Sequence, residues 1–216
     1  MATYIQQISR YPAIGKGPEL RALLEEWTRT APSRGFAHNL ISQLGADGPV
    51  FINGIRHENL AAFQTYPERS RANPGLGPFT AKMQPLLARP PQSALFQVLI
   101  PPPSQAPSPS FRFRVSRYPA IGKGPALQAL LEERVKVMQA HGFRSLSRQM
   151  FGSEGPVFVT NIGFQDLASL EAFLDNNQRD PEFRAYAEKV ESMMARPSKT
   201  ELFEVLVPFP SGLAKI

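Results

Sequence analysis

The sequence contains no cysteine and three histidines in 216 residues. Without cysteine there is no disulfide framework, no thiolate nucleophile and no cysteine metal site, which fits a cytoplasmic protein. The histidines, His38, His57 and His141, form no His/Asp/Glu cluster at metal-ligand spacing, so neither a metal nor another cofactor is expected. Long apolar runs are also missing. A stretch such as residues 94–100, with Gln97 inside it, falls far short of the ~20 residues of a membrane helix, and residues 1–7 lack the basic head and apolar stretch of a secretory signal. No membrane partner is expected. The net charge is +6, but the basic residues (Arg10, Lys16, Arg21, Arg29 and Arg34 in the first hundred) are interrupted by acidic or apolar ones. Phosphate backbones need basic groups concentrated on one face, so no nucleic-acid partner is expected either.

What the sequence does contain is a repeat. Ser-Arg-Tyr-Pro-Ala-Ile-Gly-Lys-Gly-Pro at 9–18 recurs unchanged at 116–125, an offset of 107. The same offset aligns Leu23 to Glu26 with Leu130 to Glu133, Gly48 to Phe51 with Gly155 to Phe158, and Ala88 to Pro90 with Ala195 to Pro197. A period this long marks a domain duplication, since solenoid repeats have periods of ~20–50 residues. The expected organisation is one repeat at 1–100, a Pro/Ser-rich linker at 101–110 and a second repeat at 111–216. The linker favours polyproline II geometry, which at ~3.1 Å per residue spans about 30 Å and suits a stiff connector.

Within each repeat the periodicity reads strand, helix, strand, strand, helix, strand. Residues 4–11 and 111–118 alternate as first strands, ended by Pro12 and Pro119. Leu20, Leu23, Leu24 and Trp27, matched by Leu127, Leu130, Leu131 and Met138, give the stripe of a helix. Pro18 and Pro125 suit its first turn, and Gly35 and Gly142 its stop. A hairpin is expected around 45–48 and again around 152–155, with strands at 36–44 and 49–56 in the first repeat. A second helix follows. In the later repeat it starts at Asp180-Pro181 with a stripe of Phe183, Tyr186, Val190, Met193 and Met194, whereas Gly75, Gly77, Pro78 and Pro85 weaken or kink its earlier counterpart. Residues 95–100 and 202–207 are the final strands.

The order βαββαβ is that of a ferredoxin-like unit, whose sheet keeps one face bare unless a second unit packs on it. The fold class expected is α+β: two ferredoxin-like βαββαβ repeats forming an intramolecular dimeric α/β barrel. The strand ending Arg-Tyr-Pro-Ala-Ile-Gly-Lys-Gly-Pro before a Leu-rich helix, with the closing Glu-Leu-Phe-Glu-Val-Leu at 201–206, resembles the dimeric α/β-barrel superfamily, in particular its antibiotic-biosynthesis-monooxygenase-like and NIPSNAP-like members. The resemblance implies that small organic molecules bind between sheet and helices, with activities that include cofactor-independent oxygenation, haem breakdown and isomerisation. Haem-degrading relatives rely on a cooperating His, Asn and Trp. Here Trp27 falls on the helical core stripe, and the sequence places no such set.

Candidate pocket residues come from comparing the repeats. Tyr4, Ile8, Phe111, Phe113 and Val115 share the strand face expected to pack on helices; Ile5, Gln7, Ser9, Arg112, Arg114 and Ser116 lie opposite, on the face expected to line a cavity or meet the other sheet. Arg114 and Glu204 stand where the first repeat has Gln7 and Gln97. First and last strands are neighbours in such a sheet, so a charged pair replacing an amide pair suggests cross-strand contact, as a structural ion pair or as the polar anchor of an apolar pocket. Tyr11 and Tyr118 end the first strands, where they either close a cavity mouth or simply pack. His38 and His57 are candidate bases as well as candidate packing residues, and His141 suits a helix C-terminus. Gly15-Lys16-Gly17 and Gly122-Lys123-Gly124 precede helices but lack Walker spacing, which favours a turn with an exposed lysine. No catalytic residue is assigned. The function expected is a small-molecule-binding barrel, a cofactor-independent monooxygenase or isomerase acting on a hydrophobic or aromatic substrate. The alternative is a non-enzymatic NIPSNAP-like or stress-related interaction module. The internal pseudo-dimer leaves room for further homo-oligomerisation.

Overall fold

The computed structural model describes residues 3–45, 48–103, 108–139, 144–151 and 156–210. His141, Gly142, the 152–155 turn and the middle of the 101–110 segment lie outside the described residues. The N-terminal repeat runs β1 (Thr3–Arg10), α1 (Gly17–Arg29), β2 (His38–Leu44), β3 (Phe51–His57), α2 (Leu60–Arg71), α3 (Leu76–Met83) and β4 (Gln92–Ile100). The C-terminal repeat follows the same plan with β5 (Phe111–Pro119), α4 (Gly124–Gln139), β6 (Arg144–Phe151), β7 (Phe158–Phe164), α5 (Leu167–Arg179), α6 (Pro181–Glu191) and β8 (Met194–Val207). The eight strands form one closed barrel in the order β1-β3-β2-β8-β5-β7-β6-β4. The fold is therefore α+β, with the strands of two ferredoxin-like repeats closed into an α/β barrel. Among the described residues no helix is long and apolar enough to cross a membrane.

The chain divides into two compact units, Met1–Gln97 with Glu204–Ile216, and Val98–Phe203. In the first, β3 pairs antiparallel with both β1 and β2, with Ile8 opposite Asn53 and Leu40 also opposite Asn53. Leu20, Leu24, Leu40, Phe51, Phe79 and Val207 form its core. In the second, β7 pairs with β5 in the matching register and with β6 one residue out of it, Leu146 rather than Ser147 lying opposite Thr160, and Leu127, Leu131, Val135, Leu146, Phe158 and Ile100 form the core. Each fully buried leucine contributes about 1.5–3 kcal/mol relative to an exposed one. Val207 and Ile100 show that each core takes in the end of the final strand of the other repeat.

The helices start and stop for local reasons. Gly15 and Gly122 turn the chain at φ +76° and +78°, a conformation that favours glycine, before the prolines that open α1 and α4. Lys16 pairs with Glu19 in the first turn, so the Gly-Lys-Gly segment is a turn with a solvated lysine. A short 3-10 turn after α1 ends at Gly35, φ +74°. The expected single second helix is two helices in each repeat. In the N-terminal repeat Asn73 and Gly75 break the path between α2 and α3, and Pro85 tightens the chain into a 3-10 turn. In the C-terminal repeat the additional helix is α5, capped by Asp166, whose carboxylate accepts from the Ser169 amide; α6 then starts afresh at the Asp180 cap. The expected stripe also ran too far, because α6 ends at Glu191 and Met194 already opens β8. The Met193 amide instead bonds the Val190 carbonyl, and the Met193 carbonyl accepts from the Ala120 amide.

Candidate functional site

Two cavities lie between strands and helices, one inside each unit, and the repeat offset maps one onto the other. The cavity of the C-terminal repeat is about 500 Å³ and is walled by Phe113, Val115 and Arg117 of β5, Thr160 and Ile162 of β7, and side chains of α4, α5 and α6. Its N-terminal counterpart is about 200 Å³ and uses Ile8, Arg10, Asn53 and Ile55 in the same strand positions. Both cavities sit on the helix-packed face of the strands. The opposite face, expected from the sequence to line a cavity or to meet the other sheet, carries Ile5, Gln7, Arg112 and Arg114 and contributes to neither of these two.

The larger cavity is mainly apolar. Met138, Phe173, Leu174, Phe183 and Tyr186 supply the apolar helical side of its wall. Arg117 enters from β5 and donates from Nη1 to the Thr160 hydroxyl at 2.9 Å. Among the described residues no carboxylate stands within ion-pair distance of it. Burial pulls its pKa down, while the Tyr186 phenol acts in the other direction. Arg134 of α4 lies over the rings of Tyr186 and Phe183, 5.3 and 5.6 Å from their centroids, and reaches Asp180 at 4.0 Å. A flat apolar ligand therefore meets aromatic walls and Arg184 on the α6 side and the Arg117 guanidinium on the strand side. No carboxylate or imidazole is among the residues that wall this cavity.

The smaller cavity is narrowed by substitution at equivalent positions. Where the C-terminal repeat has Arg134, the N-terminal repeat has Trp27, stacked on Phe79 at 4.2 Å and covered by Arg34 at 3.8 Å. Arg10, the counterpart of Arg117, donates to the Asn53 side-chain oxygen and, from Nε, to the Met83 sulfur at 3.1 Å. Asn53 in turn donates to the Thr28 hydroxyl at 2.8 Å. Burial brings Arg10 down to about 10, which leaves it a cation at neutral pH. Trp27, His38 and Asn53 do meet here, a set the sequence alone did not place. About 200 Å³ and committed Trp27 and Asn53 side chains do not fit a haem.

The residues singled out from the sequence fall in several places. His38 walls the smaller cavity, between Phe36 and Tyr66. His57 packs edge-on against Phe63 and Tyr66, 5.3 Å from each. Burial, aided by neighbouring arginines, lowers His38 to about 3 and His57 to about 4, so both are neutral at pH 7. Tyr11 and Tyr118 each lie beneath an arginine of their own unit, Arg89 and Arg196, both at 3.5 Å. Tyr11 also donates to Gln92 at 2.9 Å. Gln7 and Gln97 are half-buried in β1 and β4. Arg114 is held inside its unit by Asn161 at 3.3 Å and by the Phe203 ring at 4.6 Å, while Glu204 accepts from Arg21 at 3.3 Å. Asn161 stands directly opposite Arg114 in the β5–β7 pairing, which explains its contact with the guanidinium.

The residues that shape the cavities and were not singled out are Arg10 and Arg117. Both belong to the repeated decapeptide, two residues beyond Ile8 and Val115 on the same alternating face. Extending that alternation to the strand ends would have found them.

No family model matches the chain, and no curated protein matches its sequence. Solved structures do share the fold. A candidate monooxygenase of Fusobacterium nucleatum superposes with a TM-score of 0.76 at 12% identity, covering 98% of this chain and 95% of that one. A candidate monooxygenase of Lactobacillus acidophilus gives 0.74 at 8% identity, covering 98% of both. An anthrone oxidase-like protein gives 0.66 at 14% identity, covering 98% of this chain and 94% of that one.

Proposed function

We propose that this is a cytoplasmic small-molecule-binding barrel whose C-terminal cavity takes a flat hydrophobic or aromatic molecule carrying one acidic oxygen, and that it acts on such a molecule as a cofactor-independent monooxygenase. The observation that carries the reading is Arg117, a cation with no carboxylate partner among the described residues, in the wall of a mainly apolar cavity of about 500 Å³. A volume in the ~300–1,000 Å³ range and a few polar groups in an apolar wall are the ordinary properties of a ligand site.

The chemistry follows from what Arg117 does to an anion. A ring ketone with an acidic CH₂ loses a proton to give an enolate, and a guanidinium beside the developing oxyanion stabilises it in a cavity that excludes most water. Because no carboxylate or imidazole walls the site, the proton leaves to water. The substrate must therefore be acidic enough to ionise once its anion is stabilised. The enolate reduces dioxygen, a C–O bond forms to give the hydroperoxide, and loss of water leaves a carbonyl. The sum is CH₂ + O₂ → C=O + H₂O, with all four electrons supplied by substrate. Anthrone, which the name of one structural neighbour suggests, has this arrangement of carbonyl and CH₂.

The test is oxygen uptake and quinone absorbance on adding anthrone to the pure protein. Arg117→Met is expected to lower kcat/KM at least tenfold. Binding of an anionic fused-ring fluorophore without any oxygen uptake would instead favour the non-enzymatic binding module.

A further inference from the structure

We infer that the N-terminal cavity is a separate site for a short-chain carboxylate, held by Arg10. This site is independent of the aromatic-binding reading, which concerns the other unit.

Arg10 is 7% exposed, and its hydrogen bonds go to a neutral amide oxygen and a thioether. Among the described residues no carboxylate stands within ion-pair distance of it. A buried cation is ordinarily paired, so an arginine left with neutral partners beside an open volume calls for an anion. A second observation points to a ligand. His38 is 4% exposed and walls the same cavity, and neither of its ring nitrogens has a hydrogen-bond partner. A neutral imidazole has one donor and one acceptor to satisfy, and buried polar atoms are rarely left without partners.

Size and wall chemistry select the anion. About 200 Å³ lies below the ~300 Å³ at which drug-sized sites begin, so a molecule with a few non-hydrogen atoms fits and a fused ring does not. A planar carboxylate matches the guanidinium fork. Ile8, Leu76, Phe79 and the Trp27 ring supply apolar wall for a short carbon tail. The Tyr66 phenol, bonded to Ser70 and near both Arg10 and Arg34, completes the polar side. A sulfate or phosphate would bring a second charge and no apolar end.

Trp27 is the chain's one tryptophan and walls this cavity, so its fluorescence reports occupancy. Sodium acetate is titrated at constant ionic strength against acetamide, its neutral counterpart of similar size. The expected result is a saturable Trp27 response to acetate, with acetamide at least tenfold weaker. Arg10→Met and Ser70→Leu should each abolish the acetate response, and Arg117→Met should leave it intact. If Arg10→Met does not fold, Ser70→Leu decides, since it fills the volume and keeps the charge. The absence of a saturable acetate response, equal responses to acetate and acetamide, or an acetate response that survives Ser70→Leu would each overturn the assignment.

Discussion

One backbone plan, used twice in the same chain, holds a larger cavity in one unit and a smaller one in the other. Strand positions and the incoming arginine are shared: Arg10 and Arg117 occupy equivalent sites. What differs is the filling. Trp27 on α1 lies flat on Phe79, whereas Arg134 on α4 stands over Tyr186 and Phe183 and leaves room in front of them. Asn53 ties Arg10 down, whereas Thr160 offers Arg117 a hydroxyl. Duplication thus supplied two scaffolds, and a few aromatic and amide substitutions set how much volume each keeps.

The largest effect expected comes from exchanging the fillers. Arg134→Trp should stack on Tyr186 as Trp27 does on Phe79 and reduce binding of an anionic aromatic fluorophore by a hundredfold or more, measured by fluorescence titration. The converse change, Trp27→Ala, should enlarge the N-terminal cavity and destabilise the protein by about 2–4 kcal/mol in urea unfolding, below the fully buried range because Trp27 is half-buried. Unchanged binding in Arg134→Trp would break the comparison.

The second contrast is titration. The N-terminal unit buries neutral His38 and His57, whose counterparts at the sequence offset of 107 are Ser145 and Phe164. Their folded pKa values, about 3 and about 4, lie below the unfolded value of ~6.5, so the unfolded state takes up protons first as pH falls. Stability is full above ~6.5 and declines as pH falls to about 4 for His57 and about 3 for His38, by about 2 kcal/mol per histidine at pH 5. Urea midpoints measured from pH 7.5 to 5 should show this slope, and His38→Ser with His57→Phe, the residues of the other repeat, should flatten it.

A smaller effect tests the opposite strand face. Gly54 sits across from Gln7, and its amide donates to Asn39 Oδ1 at 2.9 Å. A Cβ there would come within 2.2 Å of that oxygen. Gly54→Ala should cost about 1–3 kcal/mol, read from the thermal midpoint, as the Asn39 side chain gives way. The smallest effect belongs to the exposed Lys16 and Glu19 pair at the repeated turn. Lys16→Ala should change stability by less than about 0.5 kcal/mol and leave ligand binding intact, in contrast to the arginine six residues earlier.

Much of this architecture was legible in the residues themselves. The recurring decapeptide announced the duplication, and the alternation and leucine stripes gave β1, α1, β5 and α4. The break of the second helical region into two helices was half visible in Gly75, Pro78 and Asp180, but α5 was missed. Its apolar residues, Leu167, Leu170, Phe173 and Leu174, sit among Asn and Gln, and only Leu170 of the four is fully buried. Arg10 and Arg117 were not picked out because the alternation was followed only as far as Ile8 and Val115, one step short of them on the same face.

Local periodicity fixes which residues share a strand face or a helical stripe, because backbone geometry repeats every two or 3.6 residues. The sequence therefore determined the elements, their order and the pairing of the two repeats. Volume left between a sheet and three helices depends on side chains far apart in the chain meeting in one place. Trp27 meeting Phe79, Arg10 meeting Asn53 and Met83, and Arg117 left with one hydroxyl were decided by tertiary packing, since whether a buried cation finds a partner is a property of the assembled space around it.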